Sequence, residues 1–391
     1  MAVPLPVSPA GAPPQSGFAL WNLGFRPFFL GALLHALLSI GHWLGAWSLG
    51  WWAALPLAHA HEMIFGYAGA VIAGFLLTAI GNWTGLQTLH GAPLAALFSG
   101  WLAARLLWLA GLGGHAATAA ADLLFGLGLL AAAAWPIVQA RQWRQWSVLL
   151  LLAALTAANA AGYALPAGAT HATLLAGLYL TVMLTLVMLR RVLPFFIERA
   201  ITGAALRQRP WLDAALLGGF AVFALADVAG WRWPATLLAA ALAPLFVLRL
   251  RDWHHPRLWQ RPLLWVLYLG QAAFAAGLAL HAAQDLAALP PALSLHAFAY
   301  GGLGLLTAGM MARVILGHTG RSVLEPPDGV CVVFTLLTAG AVARVLLPLL
   351  HAPLTVAWVL AAQLFWLLAF TLLLVLYARM LWQPRTDGRP G

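Results

Sequence analysis

Apolar residues form long, almost unbroken runs along this chain, without the 3.6-residue stripe of a surface helix or the alternation of a half-buried strand. Each run holds about 20 residues, enough for a helix to cross a hydrocarbon core about 30 Å thick. Pro, Gly and Trp residues mark the ends of the runs. The pattern predicts an all-α polytopic membrane protein with about 12 transmembrane helices, at residues 26–47, 59–81, 93–112, 117–138, 146–166, 170–190, 211–230, 232–250, 262–282, 291–316, 328–350 and 354–378.

Composition excludes a soluble globular protein, since 63% of the 391 residues are hydrophobic and 8% are charged, against about 25% charged in soluble domains. The first residues are rich in Pro, Ala and Gly and have neither the basic nor the apolar region of a signal peptide. We therefore expect a disordered N-terminal arm at 1–24, a single transmembrane domain at 25–380 and a cytoplasmic tail at 381–391.

Positive charge is concentrated in the loops on one side of the predicted bundle. All 20 basic residues are Arg; the loops after the fourth, sixth, eighth and tenth spans carry most of them, and the opposite loops carry Arg232 alone. The positive-inside rule then places both termini in the cytoplasm. Because the net charge of +10 is distributed in this way, it indicates membrane orientation, and a nucleic-acid partner is not expected.

Histidine is the main candidate for metal chemistry, because the single cysteine, Cys331, excludes an intrachain disulfide and thiolate-rich metal sites. An ionisable ring inside or at the edge of a bilayer is costly, and this favours a functional role. The alternative is that an interfacial histidine binds a headgroup or a carbonyl group. Eight of the 13 histidines fall at the outer ends of spans or in outer loops: His42, His59, His61, His115, His171, His281, His296 and His351.

Three histidines recur in register at the outer ends of the second, sixth and tenth spans: His61, His171 and His296. The first and the last are each followed, four residues on, by an aromatic residue and then Gly (Phe65 and Gly66, Tyr300 and Gly301). A Thr-Gly pair also lies 23 and 24 residues after each of these two histidines. The matches indicate a repeat of four helices taken three times.

Neutral imidazole is the usual axial ligand of haem iron and also a good ligand for copper. Two histidines at one depth on facing helices could hold a flat macrocycle between them, and the repeat favours His61 with His296. Glycines near these two residues could leave room for a porphyrin or could serve ordinary close helix packing. They are Gly66, Gly69, Gly74, Gly301, Gly302 and Gly304.

The densest group of donor side chains is at 59–62. Residues two apart point to different sides of a helix, so His59 and His61 share one metal only if the helix begins between them, and otherwise they serve two sites. His59 is then a candidate copper ligand, and Glu62 could orient an imidazole or simply favour a helix N-terminus. His35 and His42, seven apart on one face of the first span, could contribute from the side.

A second polar group is predicted at the cytoplasmic ends of the first, second and tenth spans. Arg guanidinium groups and Asn or Trp donors suit an anion such as a carboxylate or a phosphate. Anchoring to lipid headgroups is the alternative. The candidate residues are Arg26, Asn82, Trp83, His318 and Arg321.

Several sequence strings resemble the NnrS family of bacterial membrane proteins: GFRPFFL near the start, HAHEMIFGYAGAVIAGFLLTAIGNWTG at 59–85, RVLPFF at 191–196, and LHAF with ARVILGHTGR within 295–321. The resemblance covers nearly the whole chain beyond the N-terminal arm. It implies a twelve-helix protein of the bacterial inner membrane that contains b-type haem and copper. It also implies a role in nitric oxide metabolism and protection from nitrosative stress, with nitric oxide or a similar small molecule as ligand.

The predicted architecture is also similar to the catalytic subunit of haem-copper oxidases and nitric oxide reductases, in which the helices form three arcs of four. That similarity implies a low-spin haem between His61 and His296. The chain departs from that superfamily at two places: Ser294 stands two residues before His296 where a second histidine is usual, and no His pair lies near the outer end of the seventh span. A copper site would therefore combine His59 with His42, His35 or His171.

Three functions stay open at this stage. The first is a haem and copper redox protein that reduces or removes nitric oxide at an open coordination position, with an electron donor still to be identified. The second is a non-catalytic haem sensor or a haem or copper delivery protein. The third is a small-solute transporter.

Charged residues inside the spans bear on these alternatives. Arg105 and Arg344 are the best support for a transporter, although either could bind a haem propionate or a helix end. Asp122, Asp213 and Asp227 are the few carboxylates that could relay protons, and helix capping is the alternative for the first two.

Overall fold

The computed structural model describes residues 17–49 and 56–389. Every regular element in this part of the chain is a helix, which confirms the all-α fold class. Twelve of the described helices are long and apolar enough to cross a membrane. We number them α1 (Phe25–Gly45, within a helix that continues to Leu49), α2 (Leu57–Thr84), α3 (Gly91–Leu109), α4 (Ala116–Gln139), α5 (Trp143–Ala164), α6 (Thr170–Ala200), α7 (Pro210–Val228), α8 (Arg232–Asp252), α9 (Pro262–Gln284), α10 (Pro291–His318), α11 (Val330–Leu350) and α12 (Ala352–Trp382).

Most predicted spans end within a few residues of these helices, and the short break between α7 and α8 is confirmed. The largest difference is α6, which is predicted to end at residue 190 and instead continues to Ala200. An arginine pair does not end the helix here, because Arg191 Nη1 donates to Gln145 Oε1 of α5 at 2.6 Å. This contact gives the Arg191 guanidinium a hydrogen-bond acceptor while the residue stays within the helix. The helix also continues through Pro194, although an interior proline removes a backbone donor and crowds the preceding turn.

An even number of spans brings the start of α1 and the end of α12 to the same face, which we call the terminal face. The opposite face carries the outer histidines, and we call it the histidine face. Residues 17–24, part of the predicted arm, pack at the terminal face, where the Ala19 amide donates to the Trp382 carbonyl oxygen at 2.9 Å. The first 16 residues of that predicted arm lie outside the described residues.

The centre of the bundle is formed by α2, α6 and α10, which are the most buried of the twelve helices. α2 and α10 are joined by a hydrogen bond between the hydroxyl groups of Tyr67 and Thr307, whose oxygen atoms lie 2.7 Å apart. α6 approaches α2 where Gly177 faces the ring of Phe65. Side chains of the three helices enclose most of an apolar cavity of about 70 Å³. Central helices spaced four apart along the chain agree with three arcs of four.

The internal repeat is visible at both ends of α2 and α10. At the histidine face, each helix changes to π-helical hydrogen bonding directly after its histidine, over Glu62–Ala68 and Ala297–Gly304. At the terminal face, each ends at a left-handed glycine, Gly85 with φ 71° and Gly320 with φ 78°. Only glycine adopts this backbone conformation without strain. Because π-helical turns are frequent at functional sites, the matching turns draw attention to the histidines that precede them.

Candidate functional site

A buried network of charged residues lies at the histidine face, between α1 and α5. At its centre, Arg105 of α3 donates to Glu62 Oε1 at 2.5 Å and to Asp122 of α4. The other Glu62 oxygen lies 3.2 Å from His35 Nε2 of α1. Two carboxylates stabilise a guanidinium that would be very costly to bury alone. We call these four residues, together with His61, Asn159 and Tyr163, the Arg105 network.

His61 belongs to the Arg105 network through both of its ring nitrogens. Its Nδ1 lies 3.0 Å from Glu62 Oε1, and its Nε2 lies 3.0 Å from Asn159 Oδ1 and 3.5 Å from Asp122 Oδ2. The imidazole also stacks on Trp108, with ring centroids 4.4 Å apart. Protein oxygen atoms therefore lie close to both ring nitrogens of His61.

A second group at the histidine face consists of His59, His296 and Arg344, and we call it the His296 group. Arg344 Nη2 donates to His296 Nε2 at 3.3 Å. A guanidinium cannot accept a hydrogen bond, so Nε2 carries the lone pair and Nδ1 carries the proton, which it donates to the Ala292 carbonyl oxygen at 2.8 Å. His59 lies within electrostatic range of His296. Its Nδ1 is buried and has no hydrogen-bond partner among the described residues.

That His61 and His296 share a haem stays a prediction, and the structure places these two histidines in different side-chain groups. Within the described ranges, the contacts of these two histidines have no residue in common. The reason lies in helix geometry, because residues two apart turn to different sides of a helix. His61 contacts residues of α3 to α5, whereas His59 packs on Trp43 of α1 and lies within electrostatic range of His296 and Arg344. This arrangement corresponds to the alternative in which His59 and His61 serve two different sites.

The other predicted metal ligands are dispersed. His35 lies in the Arg105 network, where its Nε2 is also 3.3 Å from the Glu62 carbonyl oxygen. His42 is partly buried on α1, and His171 is exposed at the start of α6. No three His, Cys, Asp or Glu side chains in the described part of the chain form a group that could hold a metal ion. Copper binding by His59 with His42, His35 or His171 stays a prediction.

A third polar group joins α6, α7 and α9 at the histidine face. The Tyr179 hydroxyl donates to Asp227 Oδ2 at 2.7 Å, and His281 Nε2 lies 3.5 Å from Asp227 Oδ1. For Asp122 and Asp213 the sequence leaves open whether the side chain caps a helix or relays protons. In the structure each of them pairs with an arginine of a neighbouring helix. Their side chains cap neither α4 nor α7, so the carboxylates near the spans are held by partners on other helices.

The glycines near the two repeat histidines are closely packed. A β-carbon at Gly66 would lie 2.5 Å from His35 Nε2, and one at Gly74 would lie 2.6 Å from the ring of Phe29. The remaining glycines also approach side chains of adjacent helices. These contacts correspond to close helix packing. The other four neighbours are Phe125 at Gly69, Ala273 at Gly301, Phe274 at Gly302 and Trp366 at Gly304.

The terminal face has an open cavity of about 710 Å³ at the ends of α2, α6 and α10. Two of the five residues predicted here, Asn82 and His318, line it. Arg26 instead donates to three backbone carbonyl groups at the end of α12, at 2.8–3.3 Å. Arg321 donates to a backbone carbonyl oxygen at 3.4 Å, and Trp83 is not part of the wall. The arginines that line the cavity are therefore not the predicted ones, and they include Arg313 and Arg385.

Some of these residues carry a signal in the sequence that reasoning from histidine alone misses. Asn159 and Tyr163 are polar residues four apart on one face of the apolar helix α5. Arg313 is a charge inside α10, which by itself indicates a functional or paired residue. Arg385 has no such signal, because its position depends on how the tail folds back to donate to the His318 carbonyl oxygen at 3.0 Å.

The fold and the histidine face together define a class: a twelve-span α-helical membrane protein with buried imidazole, guanidinium and carboxylate groups near one surface. The family model described as NnrS protein matches residues 19–385 of the chain. The chain therefore belongs to the NnrS family, as the sequence strings predict, and this membership suggests a membrane protein related to nitric oxide. No curated protein matches the chain.

Proposed function

We propose that this protein binds haem at the His296 group and acts on nitric oxide, in defence against nitrosative stress. The observation that carries the proposal is the state of His296, whose Nδ1 donates to a carbonyl oxygen while its Nε2 holds a lone pair. An imidazole oriented in this way is a ready ligand for haem iron or for copper. The general association of the NnrS family with haem and copper is the second support.

The residues of the His296 group fit a haem. Haem iron takes one or two axial ligands from the protein, and this group offers two imidazoles, one of them with a buried nitrogen that lacks a partner in the described part of the chain. Arg344 adds a cation that suits a haem carboxylate. The ring of Trp43 packs on His59 with centroids 4.9 Å apart and holds that imidazole in place. His61, whose two ring nitrogens lie beside oxygen atoms of Glu62 and Asn159, belongs to the Arg105 network instead.

The interior of the bundle suits a small uncharged ligand such as nitric oxide. The central cavity of about 70 Å³ is lined almost entirely by apolar side chains of α2, α6 and α10, and about 10–15 Å³ of such space already holds one water molecule. When bound, haem supplies redox chemistry and a coordination position for nitric oxide. The chain itself would hold the iron through imidazole, and the apolar cavity offers a small ligand space inside the bundle. Copper is the alternative occupant of the same imidazoles.

A reduced-minus-oxidised optical spectrum of the purified protein, combined with metal analysis, tests this function. We expect the bands of b-type haem, one or more irons per chain, and a shift of the main band when nitric oxide or carbon monoxide is added. A spectrum without haem bands would overturn the haem site, and copper found in such a protein would reassign the imidazoles to copper. A haem band that neither gas shifts would contradict chemistry on nitric oxide and favour a sensor or delivery protein.

A further inference from the structure

The cavity on the terminal face is surrounded by charges of one sign. Its wall includes Arg313, Arg385 and Arg389, and it contains no Asp or Glu side chain among the described residues. Asp387, a carboxylate of the nearby tail, pairs with Arg385 at 2.6 Å and lies 4.0 Å from Arg389. The wall thus has three arginines, and Asp387 is the one carboxylate that the described residues place nearby. The cavity therefore has an excess of positive charge.

Arg313 is the most informative of these residues, because it is buried without a counter-charge. Only 8% of the residue is exposed, and its guanidinium lies 3.7 Å from the ring centroid of Phe196. In the described ranges no hydrogen bond or ion pair reaches it. Arg26 and Arg105 are buried as well, but carbonyl groups bind the first and carboxylates bind the second. Since an unpaired buried charge is costly, the position of Arg313 at the cavity wall indicates an anionic partner from outside the described chain.

The chemistry of the wall points to a phosphate group. Arginine presents paired N–H donors that match phosphate or carboxylate oxygens, and the amides of Asn82 and Gln87 add further donors. This number of donors suits a phosphate, which has more acceptor oxygens than a carboxylate. The volume of about 710 Å³ exceeds that of a single phosphate, and apolar wall residues such as Leu77 and Val314 can accommodate a larger apolar body.

We propose that the terminal-face cavity binds the phosphate group of a small amphipathic molecule, which is either a soluble phosphate compound or an anionic lipid. Arg313 supplies the principal charge, and Arg385 and Asn82 complete the binding surface. The cavity lies at the opposite face from the His296 group, so this proposal does not depend on haem binding.

Two measurements on the full-length protein distinguish the two sources of phosphate. Binding of inorganic phosphate to protein in dodecyl maltoside, followed by ³¹P nuclear magnetic resonance, reports a site open to soluble phosphate. Native mass spectrometry of protein from nanodiscs that contain phosphatidylglycerol and phosphatidylcholine reports which lipid is retained. We expect saturable phosphate binding, selective retention of phosphatidylglycerol, or both. Absence of both signals would overturn the proposal.

Variants of the wall assign the binding to Arg313. We expect R313Q to weaken the positive signal about tenfold, as for the loss of one charged hydrogen-bonding partner. We expect R313K to weaken it less, because lysine keeps the charge but loses the paired N–H donors. R257Q, which removes an exposed arginine of the same face outside the cavity, should bind as the unmodified protein does. If R313Q does not fold, the same binding measurement on N82A tests the cavity. We expect N82A to weaken phosphate or lipid binding measurably. Unchanged binding in folded R313Q, unchanged binding in N82A, or an equal loss in R257Q would each contradict the proposal.

Discussion

Arg344 donates a hydrogen bond to Nε2 of His296 at 3.3 Å and so joins α11 to α10. The contact fixes the tautomer of the imidazole, because the guanidinium has no acceptor atom. It also places a cation beside the nitrogen that we assign to iron. A guanidinium at this position can serve the imidazole in the metal-free protein and a haem carboxylate in the loaded protein.

Replacement of Arg344 by glutamine should therefore weaken haem binding without removing the ligand. A charged hydrogen bond contributes about 1.5–3 kcal/mol, so we expect haem affinity to fall about tenfold or more in R344Q and less in R344K, measured by titration of the haem-free protein. R232Q, which changes an exposed arginine at the same face, is the control. Equal affinities in R344Q and R232Q would show that Arg344 has no role toward haem.

The Arg105 network should contribute strongly to stability, because Arg105 lies between two buried carboxylates. Replacement by methionine leaves both negative charges uncompensated, and we expect R105M to lower the free energy of unfolding by about 3–5 kcal/mol. The measurement is reversible unfolding in detergent, with the exposed change R257M as the control, expected within about 0.5 kcal/mol of the unmodified protein.

A combined variant tests the cause of this loss. If stranded carboxylates are responsible, Glu62→Gln together with Asp122→Asn should restore part of the stability of R105M. A loss of less than 1 kcal/mol in R105M, or no recovery in the combined variant, would be inconsistent with a charge-paired network.

The glycines of the central helices should behave as packing residues. A β-carbon at Gly74 would lie 2.6 Å from the ring of Phe29, whereas one at Gly218 of α7 would meet no atom within 4 Å. We expect G74A to lower the free energy of unfolding by about 1–3 kcal/mol. G218A should leave it unchanged or raise it by up to about 1 kcal/mol through the helix propensity of alanine. Similar effects of the two changes would argue against close packing at Gly74.

The number of helices and most of their limits follow from the sequence, because a membrane crossing requires only a long apolar run, which is a local property of the chain. The end of α6 is the exception, since the helix continues past its apolar run to Ala200. The groupings of side chains depend on which way each residue faces. His59 and His61 are two residues apart and join different groups. Arg26 is predicted from the sequence to bind an anion, but in the fold the end of α12 lies beside it and its carbonyl groups accept the hydrogen bonds of the guanidinium. Arg385 reaches the cavity only because the tail returns to the terminal face. Such long-range placements have no signature in a single sequence.

Docking of the tail should depend on pH through Asp387. Arg385 binds the Asp387 carboxylate and lowers its pKa to about 2, below its ordinary value near 4. A carboxyl group with a lowered pKa stabilises the docked state fully above about pH 4, and this contribution is lost as the pH falls through 2. We expect the Thr386 amide, which donates to the Thr319 carbonyl oxygen, to lose protection from hydrogen exchange over this interval.

The variant D387N separates this effect from general acid unfolding. At neutral pH its tail should exchange as fast, after correction for the intrinsic rate, as the tail of the unmodified protein does below pH 2. Identical protection of the tail in both proteins at neutral pH would mean that the Asp387–Arg385 pair does not hold it.

The haem content of His296→Ala, compared with that of His351→Ala, tests the central claim most directly. Both changes remove an imidazole from the histidine face, but His351 is exposed in the loop between α11 and α12. We predict that the first variant is purified without the haem band and the second with the haem content of the unmodified protein, both folded by circular dichroism. Equal amounts of haem per chain in the two variants would contradict the assignment of His296 as the iron ligand.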